Sequence, residues 1–367
     1  MTEPMTPLEI DIRRRIAAAG PMPIGQYMAL CLADPRHGYY VTRDPLGAGG
    51  DFTTAPEVSQ MFGELIGLWM VNVWQQLGSP ENLRVVELGP GRGTMMKDAM
   101  RAAKIVPAFT QAAVLHLVEI SPPLQALQET SLGELNIPTF WHKTLADVPG
   151  GPAVIVANEF FDALPVHQAV KMADGWHRRA VTIATDDTLA YIAEPAPLTH
   201  LEATLPPAVR AARDGEIFEW RSDTETMELG RRLAREPAAA LVIDYGHVES
   251  ATGETLQALR EHLFADPLST PGEADLTAHV DFEALARTVE TMGAKVYGPI
   301  EQAEFLRRLG VETRTAQLKA NSERAKGHEI DAALARLTGA GRTGMGSQFK
   351  VAAMTHPSLT WPPGFEP

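Results

Sequence analysis

The stretch VVELGPGRGT, residues 85–94, constrains this chain more than any other. Val85, Val86 and Leu88 give the apolar run of a buried strand, and residues 94–100, TMMKDAM, give the helix that follows. Glycines at 89, 91 and 93 join the two. A Cβ at those points would clash or forbid positive φ, so the loop suits close approach of backbone to a ligand.

The spacing restricts the ligand. A dinucleotide fingerprint, G-x-G-x-x-G, needs a third glycine where this chain has Thr94. A Walker loop needs Lys-Ser or Lys-Thr after the glycines, and neither follows. What remains is E-x-G-x-G-x-G, which resembles the motif of Rossmann-like S-adenosylmethionine-dependent methyltransferases. Their cofactor carries no phosphate, so an acidic Glu87 at the strand end is compatible with its cationic amino-acid portion. Glu87, Gly89, Pro90, Gly91 and Gly93 are therefore candidate cofactor residues. The next apolar run, VLHLVEI (114–120), ends in Glu119, which can accept both ribose hydroxyls, and Ile120, which would lie against adenine.

Composition removes several function classes. The chain has 367 residues, 45% of them apolar, enough for one large α/β domain with insertions or for two domains. Its longest apolar stretch, LIGLWMVNVW, falls short of the roughly 20 residues of a membrane-spanning helix. Cys31 is the one cysteine, so no internal disulfide forms, and the 11 histidines show no metal-ligand spacing. No metal site is expected. A net charge of −14 disfavours nucleic acid and suits a cationic cofactor or a basic protein segment. The N-terminus lacks a signal core, so the expected compartment is the cytoplasm, or the mitochondrion in a eukaryote.

Periodicity divides the chain into a helical and lid region at 1–80 and a core at 81–367. In the first, helices are expected over 8–19 and 24–32 and again from about Ser59, around a turn-rich centre. The core predicts strands near 84–88, 114–119, 138–141, 153–157 and 239–245, then KVYGPI and a last antiparallel strand from Phe349. Alternating short strands over about 166–222 and two or three helices within about 302–342 read as insertions. A helix is also expected at 223–235, and another runs from Asp281 to Gly293.

Three segments, GDFTTAPEVSQMFGELIG, ELGPGRGTMMKD and NEFFDALPVHQ, with DLTAHVDF at 275–282, resemble the MidA-type family. Its mitochondrial members are complex I assembly proteins described as protein arginine methyltransferases. The resemblance covers about residues 21–356. It implies an α/β, Rossmann-like, seven-stranded class I methyltransferase sheet with a helical N-terminal region and inserted elements. It also implies S-adenosylmethionine as cofactor and, as acceptor, an arginine of a protein such as a respiratory complex I subunit.

NEFFDALPV is the second chemical centre. The strand before it delivers Asn158, Glu159 and Asp162 to the carboxyl edge of the sheet. If the segment is helical, Glu159 and Asp162 share a face, and a carboxylate pair matches the donor fork of a guanidinium. Asp162 reads equally as the cap of a following helix. Phe52, Phe160 and Phe161 are candidate walls, although each also reads as core. Gly49 and Gly50 would hinge a lid carrying Asp51 to the cofactor, and His279 reads as a proton carrier or a structural histidine. Two other functions fit the same residues: an assembly chaperone that keeps the fold without catalysis, and a small-molecule methyltransferase.

Overall fold

The protein is described by a computed structural model over residues 4–42, 54–341 and 344–367. Two compact units, each assembled from three stretches, make up the chain. The smaller comprises 1–52, 162–222 and 249–283, and the larger 53–161, 223–248 and 284–367.

In the larger unit the apolar runs become strands β1 (Leu83–Leu88), β2 (Ala113–Val118), β3 (Thr139–His142), β4 (Ala153–Asn158), β5 (Ala238–His247), β6 (Lys295–Glu301) and β7 (Phe349–Thr355). They belong to a mixed sheet of eight strands, seven of which follow one path in the order β6-β7-β5-β4-β1-β2-β3. β1 to β5 run parallel, and β7 is antiparallel to both β5 and β6. Every residue of β4 is buried, as a parallel strand covered on both faces requires.

The chain reverses its direction of travel across the sheet between β1 and β4, which makes the carboxyl ends of these neighbours a topological switch point where ligands of open α/β sheets bind. Register fixes what meets there. Leu88 of β1 is level with Val118 of β2 and Ala157 of β4, while Asn158 is level with Ile243 of β5.

Helices α1 (Gln60–Gln76), α2 (Thr94–Ala103) and α3 (Pro122–Gly133) belong to the same unit. The Ser59 side chain caps α1, accepting from Met61 N–H at 3.2 Å. Phe62, Leu65, Ile66, Trp69, Met96, Ala99 and Met100 share a core with Val85, Leu115 and Val156 of the sheet. Three helices, Gln302–Arg308, Val311–Ala320 and Arg324–Thr338, follow β6.

The smaller unit joins N-terminal helices to the inserted strands. Pro7–Ala19 and Ile24–Ala33 bury Leu8, Ile12, Tyr27 and Met28 against Val166, Val181 and Leu276. Its five-stranded sheet contains Met22–Pro23, Gly175–Ile183, Val166–Met172 and Ile217–Arg221 along one path, with Leu189–Pro197 beside Gly175–Ile183. A second sheet of three strands comprises Gln257–Arg260, Leu263–Ala265 and Asp275–Thr277. Among the described residues no helix is long and apolar enough to cross a membrane.

Candidate active site

The loop between β1 and α2 takes the form its glycines permit. Gly89, Gly91 and Gly93 have φ of 63°, 54° and 76°, all left-handed. Gly89 N–H donates to Val118 O at 3.0 Å and Gly93 N–H to Pro90 O at 2.8 Å, so the turn is tied to β2 and to itself. Gly93 is the N-cap of α2 and no side chain caps that end. Phe160 lies over the loop, since a Cβ on Gly89 would come 3.0 Å from its Cδ2. The expected wall role is compatible with this place. Phe161 is buried, packed edge-on to Phe160 with ring centroids 5.3 Å apart.

Glu87 sits on β1 immediately before the loop. It is 2% exposed, and its Oε2 is buried without a hydrogen-bond partner among the described residues. Burial, reinforced by the charge of Glu119, pushes its carboxyl up to about 8. Glu119 follows β2 and is held firmly: Oε1 accepts from Ser121 N–H at 2.8 Å and Oε2 from Gln128 Nε2 at 3.2 Å. Burial raises its pKa, and these two hydrogen bonds oppose the rise by favouring the carboxylate. Ile120 is 53% exposed, an open apolar side chain beside this acid. Asp51 lies outside the described residues, as do Gly49, Gly50 and Phe52.

At the end of β4, Glu159 has φ 51° and the segment 159–165 forms no helix. The condition for Glu159 and Asp162 to share a helical face is therefore not met, nor is there a following helix for Asp162 to cap. Left-handed backbone at Glu159 ends the strand in a sharp turn instead. The Glu159 carboxylate accepts from Asn158 Nδ2 at 3.2 Å and from Ala55 N–H at 3.3 Å. Asn158 keeps a buried Oδ1 with no hydrogen-bond partner among the described residues. Asp162 belongs to the smaller unit, 3% exposed, with its carbonyl accepting from Ala278 N–H at 3.1 Å and Arg221 Nη2 at 3.3 Å. His279 is in that unit too, its N–H donating to Thr255 Oγ1 at 2.9 Å and its carbonyl accepting from Arg221.

Two residues of the larger unit were not singled out from sequence. Asp244 on β5 is fully buried, and its Oδ2 accepts from Phe161 N–H at 2.9 Å, which fixes the turn after β4. Its signal was an acid ending the apolar run AALVI. Gln128 on α3 is also fully buried, between Leu124 and Leu132 on one helical face, where a polar residue breaks an apolar stripe.

Comparison with known proteins agrees with this geometry. Residues 65–300 match the model of the family described as "Putative S-adenosyl-L-methionine-dependent methyltransferase". The chain belongs to this family. The methyltransferase is 36% identical to Protein arginine methyltransferase NDUFAF7 homolog, mitochondrial, of Drosophila melanogaster, across 94% of this chain and 84% of that one. The corresponding human protein, Protein arginine methyltransferase NDUFAF7, mitochondrial, is 37% identical across 85% and 75%. A Burkholderia thailandensis protein crystallised with S-adenosyl-homocysteine superposes with a TM-score of 0.83 at 26% identity, covering 100% of this chain and 96% of that one. The large sheet is thus a class I methyltransferase-like sheet, and S-adenosylmethionine is the cofactor.

The methyltransferase's own residues fit that cofactor. Buried acceptor atoms without partners among the described residues, Glu87 Oε2 and Asn158 Oδ1, lie at the carboxyl ends of adjacent strands at the switch point and match the donors of an ammonium group. Gly89, Gly91 and Gly93, all at positive φ, present backbone with no side chain at those three positions of the loop.

Proposed function

We propose that this methyltransferase modifies an arginine side chain of a protein. The observation that carries the reading is the turn after β4, where left-handed backbone presents the Glu159 carboxylate beside the Asn158 amide at the carboxyl edge of the sheet. The names of the relatives, which call those proteins arginine methyltransferases, agree with it.

In this reading Glu87 receives the cofactor's ammonium group, Gly89, Pro90, Gly91 and Gly93 accommodate its amino-acid portion, Glu119 accepts the ribose hydroxyls and Ile120 covers the adenine. Asp51 keeps the cofactor role expected from sequence. The bound cofactor supplies an electrophilic methyl group on a sulfonium. Glu159 orients the guanidinium through its planar fork of donors and takes the proton released on transfer, because a group with pKa above about 12 does not deprotonate beforehand. Asn158 aligns Glu159. Phe160 excludes water from the loop side, where proximity supplies most of the rate.

The acceptor protein is proposed to be a respiratory complex I subunit or its local equivalent, on the ground of the family resemblance. The compartment proposed for this chain is the cytoplasm, whereas the relatives' names place those proteins in mitochondria.

The test is incubation of lysate from a strain lacking the protein with purified enzyme and methyl-labelled S-adenosylmethionine, followed by mass spectrometry. Label on protein arginine supports the reading. Label confined to metabolites, or to another side chain, refutes it. Glu159→Gln should bind S-adenosylhomocysteine normally and lose labelling by roughly 100-fold or more, as loss of a general base does. If Glu159→Gln still supports the cellular function in full, the protein acts as a binding scaffold. Asp162→Asn, assayed separately, tests the role the sequence expects of that residue.

A further inference from the structure

Gln128 reaches three partners with one amide. Its Oε1 accepts from Trp141 Nε1 at 2.8 Å, while its Nε2 donates to Gly91 O at 2.6 Å and to Glu119 Oε2 at 3.2 Å. The indole N–H can only donate, so it settles which end of the amide is oxygen and turns both N–H groups toward the two acceptors. Both N–H groups and one of the two acceptor lone pairs of the amide are then in use. The residue is fully buried, and its Cγ would lie 3.6 Å from a Cβ on Gly93. One side chain on α3 therefore touches the glycine loop, the acid after β2 and the tryptophan of β3.

For Glu119 this matters. A carboxylate has about four lone-pair directions; Ser121 N–H takes one on Oε1, Gln128 Nε2 takes one on Oε2, and the Ile120 backbone also donates to the group, so the carboxylate is held from several sides.

We propose that Gln128 is a positioning residue for the cofactor's ribose: oriented by Trp141, it locks the Glu119 carboxylate and the Gly91 peptide into one frame, so that the acid is presented to both hydroxyls. This rests on the reading of Glu119 as the ribose acceptor. It adds a specificity determinant that touches no cofactor atom itself.

The experiment is calorimetric titration of the full-length protein with S-adenosylhomocysteine and with its 2′,3′-dideoxy analogue, hereafter the deoxy analogue, which lacks both hydroxyls. Wild type should prefer the intact ribose by roughly 10-fold or more. Gln128→Met, which keeps the length of the side chain without its amide, should weaken S-adenosylhomocysteine by roughly tenfold, as loss of an outer hydrogen-bond partner does. It should change affinity for the deoxy analogue by less than about threefold, so that discrimination collapses. Equal weakening of both ligands would mean that Gln128 only supports the loop, and unchanged discrimination would mean it does not act on Glu119; either overturns the proposal while leaving Glu119 in place. A wild type with no preference would remove the reading of Glu119 itself, and the proposal with it. Should Gln128→Met not fold, Gln128→Glu, which retains an acceptor for Trp141 and places a like charge at Glu119, is scored on the same ratio.

Discussion

Glu87 holds a proton in the folded protein at pH values where an exposed glutamate has lost it. Its folded pKa of about 8 lies above the ordinary 4.5, so the stability it contributes is fully present below about 4.5 and is lost as pH rises through about 8. Glu87→Gln, which cannot ionise, should flatten that dependence: urea midpoints measured at pH 6 and pH 8.5 should fall less in the variant than in wild type. A cationic ligand favours the carboxylate, so wild type should release close to one proton on binding S-adenosylmethionine near pH 7, and the variant none. Titration in buffers of different ionisation enthalpy counts those protons. Loss of a charged hydrogen bond should also weaken binding in the variant by roughly 10- to 100-fold. Equal proton counts in the two proteins would remove Glu87 from the cofactor site. Gly91 makes a second demand at this scale. Its φ of 54° is a conformation that a β-branched residue resists, so Gly91→Val should abolish cofactor binding, and an unaltered dissociation constant by titration would contradict the loop assignment.

Between elements, α1 and α2 pack where glycine removes side chains. A Cβ on Gly67 would stand 2.2 Å from Ala99 O, and one on Gly63 would stand 2.7 Å from Asp98 Cβ. Around this contact Glu64, 8% exposed in its side chain, pairs with Arg101 of α2 at 3.0 Å and with Arg314 at 2.7 Å. The obstacle at Gly67 is backbone, which cannot rotate away. Gly67→Ala should therefore destabilise the protein by about 1–3 kcal/mol, the usual cost of overpacking, and displace α2 with the loop at its N-terminus. A lowered urea midpoint with weaker S-adenosylhomocysteine binding is the expected pair of results; a midpoint within error of wild type would show that the helices have room to separate. The strands and helices of this region were legible in sequence because their apolar spacing is local: β1, β2, β4 and β5 lie within a residue or two of expectation, and α1 opens beside Ser59 as expected. The turn after β4 was not, because left-handed φ at a glutamate is imposed by surroundings such as Asp244, 83 positions away at Phe161 N–H. Gln128 was hidden for the same reason. Its partners sit on three separate elements, and no local pattern names them.

For the whole molecule, the division into units was not legible either. Each unit draws on three separated stretches, and the apolar contact of Leu8, Ile12 and Tyr27 with Val166 and Leu276 spans most of the sequence. Such pairings arise from packing of faces, whereas periodicity reports only that a face exists. Net charge, by contrast, is fully legible, and at −14 it has a consequence for the proposed action on arginine. An acidic molecule draws in a basic polypeptide segment over distances set by the screening length, which shrinks from about 10 Å at 0.1 M salt to about 3 Å at 1 M. Raising salt should therefore increase the KM for a protein acceptor severalfold and leave kcat nearly constant, since salt weakens long-range capture far more than short-range contacts at the end of β4. Cofactor affinity should move much less, because Glu87 and Glu119, the proposed cofactor acids, are buried. Initial rates at saturating S-adenosylmethionine across a salt series measure this directly. If KM for the protein acceptor stays flat while cofactor affinity falls, the field of the molecule does not recruit the substrate, and recognition rests on short-range contacts alone.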